Sequence, residues 1–169
     1  FKGALLSHDE LARPELSIKS SRMNFESKLN VLGKGNAMNA LAAAAAAILM
    51  GAKKQSVVKG LRNLPPVKGR LEMSILKDSI LIDDTYNSNP ASLDAALAVI
   101  GKIKVHKNRV LILGDMYELG SKSEQIHISL AKNISKVKNC IVLLIGKNMA
   151  ALCKQLRKDE AQVEYFTPR

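Results

Sequence analysis

Tryptophan is absent from this chain of 169 residues, and aromatic residues make up only 4% of it. A core, if one forms, must be aliphatic. No aromatic-rich basic stripe of the sort that stacks nucleic-acid bases is available either. Long apolar runs are also missing. The stretch Ala40–Met50 is apolar but mostly alanine, and shorter than the roughly 20 residues that span a bilayer. No membrane span is expected. Polar residues follow soon after Phe1–Ser7, which argues against a secretory leader. Cysteine is scarce. Cys140 and Cys153 have no metal-ligand spacing and read as small buried hydrophobes in a reducing cytoplasm, so no metal site is expected. Acid is in short supply as well: 15 Asp and Glu against 26 Lys and Arg give a net charge of +11. That balance favours anionic partners. The lysines are scattered (Lys102, Lys104, Lys107, Lys132, Lys136, Lys138, Lys154, Lys158), so they read as solvated surface, and nucleic acid is not expected as a partner.

Hydrophobic residues make up 47% of the chain, enough for one ordinary domain, or a small domain plus part of another. Leu16–Ile18 and Leu29–Leu32 have the apolar character of short strands. A helix is expected over Asn36 to about Met50, with Gly33 and Gly35 before it, Asn36 as N-cap and Gly51 as its stop. A second helix, Lys54 to Arg62, ends before Pro65-Pro66. That stiff pair marks the expected domain boundary. Strands and helices then alternate. Leu71–Ile75 and Ser79–Asp83 read as strands around a turn at Lys77-Asp78. Pro90 opens a helix capped by Asn89. Val110–Leu113 and Ile141–Ile145 read as buried strands, and Val163–Phe166 as one more. Ser121–Glu124 has the form of a capping box for a helix carrying Ile126, Leu130, Ile134 and Val137, and a further helix runs from Met149 to Leu156. This alternation predicts an α/β fold: a Rossmann-like, mostly parallel sheet with helices on both faces. Ligands of such sheets sit at the carboxyl ends of the strands.

Four segments offer chemistry. Ile82-Asp83-Asp84-Thr85-Tyr86-Asn87-Ser88-Asn89-Pro90 carries carboxylates, a phenol and amides from a strand into a helix N-terminus, where anions are favoured. A carboxylate there suits a ribose; equally, the segment reads as a polar loop with an ordinary cap. In Pro66-Val67-Lys68-Gly69-Arg70-Leu71-Glu72, Gly69 permits close backbone approach and Arg70 can clamp phosphate, or is simply an exposed linker arginine. In Gly33-Lys34-Gly35-Asn36-Ala37-Met38-Asn39-Ala40, Asn36 and Asn39 share one helix face and suit a base edge, or one of them only caps. Gly114-Asp115-Met116-Tyr117-Glu118-Leu119-Gly120 puts acids at the strand edge, fit for an ammonium group or a solvated turn. His127 follows within the next helix, where a lone histidine is usually structural.

In this order the motifs Gly-x-x-Asn-x-x-Asn-Ala-x-Ala-Ala, Gly-Arg-x-Glu, Asp-Asp-x-Tyr-Asn-x-Asn-Pro-x-Ser and Gly-Asp-Met-x-Glu-Leu-Gly resemble the Mur ligase family over about residues 31–150. The last two strings are similar to the branch whose amine is D-alanyl-D-alanine. The resemblance implies an ATP-dependent amide-forming ligase of peptidoglycan synthesis, working in the cytoplasm with ATP and Mg²⁺. Its substrates would be UDP-N-acetylmuramoyl-tripeptide and D-alanyl-D-alanine. It also implies roles. Asn36 and Asn39 would meet adenine and Arg70 the ATP phosphates. Asp84 would hold the ribose, with Tyr86 and Asn87 completing that wall. Asn89, Asp115, Glu118 and His127 would fall on the side of the incoming dipeptide. One departure is visible: the family has His before the first Asn of the helix motif, and here it is Gly35.

No Gly-x-x-x-x-Gly-Lys-Ser/Thr phosphate loop occurs in the chain. The family keeps that loop and its Mg²⁺ ligands upstream, in the central domain, with a UDP-binding domain further upstream. Residues 1–64 therefore read as the helical tail of the central ATP-binding domain. Residues 67–169 read as most of the C-terminal Rossmann-like domain, short of a final strand and helix. Phe1 in place of an initiator Met agrees with a fragment, which is expected to be inactive alone. Competing readings are another Mur-type or folylpolyglutamate-type ligase, or a basic, non-catalytic module that binds nucleotides or nucleic acid.

Overall fold

The computed structural model describes residues 1–167. Contacts divide the chain into two compact units. One comprises Phe1–Asn87 with Lys102–Val105, the other Ser88–Gly101 with the chain from His106 onward.

The first unit opens with an antiparallel sheet of β1 (Lys2–His8), β2 (Pro14–Lys19) and β3 (Asn24–Lys28), in the order β1-β2-β3. Asp9 shapes the first turn: its Oδ1 accepts the Leu11 and Arg13 amides, and its Oδ2 accepts Arg13 Nε at 2.7 Å. Helices α1 (Gly33–Leu49) and α2 (Lys54–Arg62) follow. The small side chains of Ala37, Ala40 and Ala44 let α1 pack close, so that Leu16 and Ile18 of β2 share a core with them and with Leu41, Ile48, Val57 and Leu61. Each fully buried leucine or isoleucine contributes roughly 1.5–3 kcal/mol there.

Two expectations shift in this unit. Leu29–Leu32 is not a strand; its Leu29, Val31 and Leu32 are buried in the loop leading to α1. The apolar signal was one of burial, not of pairing. Helix α1 also begins earlier than Asn36, at Gly33, with no side-chain cap. Asn36 instead lies inside the first turn, where its Nδ2 donates to Leu32 O at 2.8 Å. The glycines did not delay the helix. The unit also holds the hairpin of β4 (Glu72–Ile75) and β5 (Ile80–Asp83), antiparallel with Glu72 opposite Asp83 and closed by Leu76 N–H donating to Ser79 O.

The second unit begins with α3 (Pro90–Ile100). Asn89 Oδ1 accepts the Ser92 amide and Ser92 Oγ accepts the Asn89 amide, each at 2.9 Å. Asn89 is the cap, and Pro90 the first helical residue, that the sequence foretold; the reciprocal bond from Ser92 completes a capping box. Strands β6 (Arg109–Gly114), β7 (Cys140–Ile145) and β8 (Gln162–Phe166) form a parallel sheet in that order. Helices α4 (Ser123–Ser129), α5 (Ala131–Ile134) and α6 (Met149–Lys158) connect them. One sheet face, with Leu111, Val142 and Leu144, is buried in a cluster with Leu93, Leu97, Leu130, Ile134, Leu152 and Leu156. On the opposite face Val110, Ile112, Ile141, Ile145 and Phe166 are exposed. The capping box at Ser121–Glu124 does not form. A short 3-10 turn, Gly120–Lys122, leads into α4 with no side-chain cap. The expected single helix is also broken after Ser129, where Leu130 N–H bonds back to His127 O, three residues away.

Candidate functional site

The loop before β4 and the loop after β5 interlock. Gly69 has φ +67°, and a Cβ there would sit 3.1 Å from Tyr86 N. That distance is tighter than most Cβ contacts, and the positive φ also favours glycine, so Gly69 eases the close approach of the two loops. Tyr86 N–H donates to Gly69 O at 3.0 Å. Glu72 Oε2 accepts the Gly69 amide at 3.1 Å, and Asp84 Oδ1 accepts the Leu71 amide at 3.0 Å. Leu71 is held at φ +51°, a conformation that costs a non-glycine residue about 1–2 kcal/mol. The two carboxylates thus clamp a strained turn whose central residue is Arg70.

The Arg70 guanidinium lies over the Tyr86 ring, 4.2 Å from its centroid. Both side chains are exposed. Asp84 is partly buried, and that burial lifts its carboxyl above the usual carboxylate range, against the pull of the Leu71 amide and the Arg70 charge. Its neighbour Asp83 behaves oppositely. Hydrogen bonds from the Thr85 hydroxyl and amide hold it below that range. Adjacent carboxylates therefore differ in surroundings: Thr85 donates twice to Asp83 Oδ1 and Leu71 once to Asp84 Oδ1, and each keeps its Oδ2 free of any hydrogen bond among the described residues. Asn87 is exposed beyond Tyr86.

On α1, Asn39 is exposed and Asn36 partly so. With the Asn36 amide nitrogen bound to Leu32 O, its Oδ1 is left as an acceptor.

In the second unit the segment after β6 is fastened twice. Asp115 Oδ1 accepts the Asn148 and Met149 amides at 3.0 and 3.1 Å, so a carboxylate sits on the N-terminus of α6, where backbone N–H groups and the helix dipole favour negative charge. Gly146, at φ +126°, lies so close that a Cβ would overlap the Asp115 carboxylate. Met116 N–H donates to His127 Nε2 at 3.1 Å, and His127 Nδ1 donates to Ser123 O at 2.7 Å. These partners assign the neutral Nδ1–H tautomer. His127 is fully buried and offers no free ring nitrogen to a ligand. Tyr117 is exposed, as is Glu118, at φ +62°. Asn89 spends its side-chain oxygen on the α3 cap.

The structure therefore gathers Arg70, Asp84 and Tyr86 around Gly69, and joins Asp115 and His127 to the two ends of the Asp115-Met116 step. Sequence reasoning missed the part of Glu72, although Gly-Arg-x-Glu carries the spacing of a carboxylate reaching back to an amide three residues earlier. It also missed the Asp115 clasp on α6, for which no local signal exists. Among the described residues no group of three or more His, Cys, Asp or Glu is placed to hold a metal ion, and no helix is long and apolar enough to cross a membrane.

Residues 69–169 match the Mur ligase, glutamate ligase domain. The UDP-N-acetylmuramoyl-tripeptide–D-alanyl-D-alanine ligase of Escherichia coli strain K12 is 34% identical over 139 residues, covering 82% of this chain and 30% of that protein. The ligase of the same name from Bacillus subtilis strain 168 is 36% identical over 143 residues, covering 82% of this chain and 31% of that protein. The chain thus spans under a third of the length of these relatives. Among solved structures, MurF from Acinetobacter baumannii superposes with a TM-score of 0.84 at 27% identity, over 98% of this chain and 35% of that one. A folylpolyglutamate synthase from Thermotoga maritima superposes with a TM-score of 0.72 over 98% of this chain and 39% of that one, at 16% identity, and so shares the fold alone. With its glycine-clamped arginine turn, its parallel sheet and its matched domain, the chain belongs to the Mur ligase family.

Proposed function

We propose that these residues are part of an ATP-dependent ligase that joins D-alanyl-D-alanine to UDP-N-acetylmuramoyl-tripeptide in peptidoglycan synthesis, in the cytoplasm. The observation that carries this reading is the clustering of Arg70, Asp84 and Tyr86 around the Gly69 turn, in a chain whose relatives bear that name. Residues 1–64 are the tail of the central ATP-binding domain and residues 67–169 the C-terminal domain. The family match beginning at Gly69, just after Pro65-Pro66, supports that division.

The chemistry requires two transfers. A carboxylate is a poor electrophile, so the acceptor's terminal carboxylate first takes the γ-phosphoryl group of ATP and releases ADP. The amine of the dipeptide then attacks the acyl carbon, and inorganic phosphate departs with the C–O electron pair. Little covalent chemistry falls to the protein; its part is positioning and neutralisation of charge. Arg70 supplies charge-assisted hydrogen bonds to the ATP phosphates. The free oxygen of Asp84 accepts from the ribose hydroxyls. Tyr86 and Asn87 complete that wall, and Asn36 and Asn39 address the adenine. No acidic cluster among the described residues fits Mg²⁺, so its ligands are assigned, with the phosphate loop, to the missing central domain. Asn89, Asp115, Glu118 and His127 belong to the dipeptide side. Asn89 and Glu118 are the exposed members, while buried His127 acts by holding Met116.

Amine preference in the full-length protein tests the proposal. D-alanyl-D-alanine is expected to support product formation where single amino acids do not, and Arg70→Ala to lower turnover by at least about tenfold, the scale of a lost charge-assisted contact. Equal use of D-alanine or L-glutamate would overturn the reading.

A further inference from the structure

We propose that Tyr86 is a positioning residue for Arg70: its ring fixes the guanidinium plane before nucleotide arrives. This rests on the reading of Arg70 as a phosphate-binding group and extends it. An arginine on an exposed turn has many rotamers, and ordering it on ligand binding costs conformational freedom. The usual remedy is an ion pair, but among the described residues no carboxylate forms one with Arg70. What the structure provides is an aromatic face, 4.2 Å from the ring centroid to the guanidinium carbon.

Stacking suits the task better than a salt bridge would. The N–H groups of a guanidinium lie in its plane. A ring against the flat face leaves those donors free for phosphate oxygens, whereas a carboxylate would occupy them. Lysine has no such plane: a ring attracts its ammonium as a point charge but fixes no fork of donors.

Both partners are fixed at the backbone. Arg70 is the centre of the turn that Glu72 and Asp84 clamp at Gly69 and Leu71, and its own amide donates to Val67 O at 3.0 Å. Tyr86 is tied by its amide to Gly69 O, and the missing Cβ of Gly69 brings the loops this close. The side chain is not part of a core: Tyr86 is 68% exposed. A tyrosine so exposed adds little to a core, so its contact with Arg70 is the principal interaction that its ring makes.

A double-mutant cycle in the full-length enzyme tests this, with turnover and the KM for ATP measured alongside melting temperature. Tyr86→Leu is expected to lower kcat by about 5- to 30-fold, the range of a stacked cation from partly to fully desolvated. Tyr86→Phe should recover most of that loss, since the ring is what acts. In an Arg70→Ala background, Tyr86→Leu should cost less than about twofold more, because no cation is left for the ring to hold. Losses that multiply in the double variant, or a Phe variant as impaired as Leu, overturn the inference. Should Tyr86→Leu fold poorly by its melting temperature, Tyr86→His, which keeps a planar ring, takes the place of Phe and Tyr86→Met that of Leu, with the same criteria. Unchanged turnover in Arg70→Ala alone would instead overturn the phosphate-binding role itself, and so is distinguishable from failure of the Tyr86 inference.

Discussion

A carboxylate lifted by burial and a histidine locked in one tautomer are the residues whose environments speak most directly to testing. Burial raises Asp84 above its ordinary value, more than the Leu71 amide and Arg70 lower it. A group raised in this way contributes stability that is present below its unfolded pKa and lost as pH rises through the folded one. At neutral pH the ionised carboxylate therefore costs some stability, a small amount given its partial exposure. In the proposed role of Asp84, ribose hydroxyls would donate to the ionised form. Nucleotide affinity of the full-length enzyme is thus expected to fall as pH drops through the raised value, and Asp84→Asn to weaken ATP binding without lowering the melting temperature at neutral pH. Isothermal titration and thermal melts across pH check both arms. At His127, replacement by Phe preserves a buried ring but strips the Met116 amide and Ser123 carbonyl of their partners. The expected loss is about 1–3 kcal/mol per orphaned group, read by chemical denaturation, whatever happens to substrate affinity.

Helix termini show what was and was not legible at the scale of elements. The α3 start was readable from Asn89-Pro90-Ala91-Ser92, because every group in that cap is local. The α6 start was not, because its cap comes from Asp115, which is 33 residues from Asn148. A tertiary carboxylate replaces the local one, and no window of sequence reveals it. The same holds for β1, an edge strand whose weak alternation gives no local signal, and for the break after Ser129, where apolar spacing continues through a change of helix. Ser121 and Glu124 have the right spacing for a capping box, but a 3-10 turn carries the chain past the geometry that box requires. Asp115→Ala is expected to cost about 1–2 kcal/mol, from two lost amide contacts and the charge at the helix pole. Because the pair is partly buried, the loss should persist at high salt. Denaturant unfolding at low and high ionic strength measures it.

For the whole molecule, the residues gathered around Gly69 offer donors and acceptors to a nucleotide, yet the sequence holds no phosphate loop. The 169 residues alone are therefore expected to release no ADP with all substrates supplied, while the full-length protein does. A coupled ADP assay on both decides it. The motifs in their order made the family legible. The grouping of the β4–β5 hairpin with the N-terminal residues was not legible, because the expected boundary rested on Pro65-Pro66, and proline stiffness says where a helix stops rather than which contacts follow.

The Asp115 clasp has one more effect. In many parallel α/β sheets, the pole of a helix following a strand is where a ligand's phosphate lodges. Here the protein supplies its own anion to that berth, and Gly146 leaves room for it. A free nucleotide or stray phosphate meets an occupied socket. The parallel-sheet unit keeps the family's architecture, but the N-terminus of α6 is already taken by a carboxylate of its own.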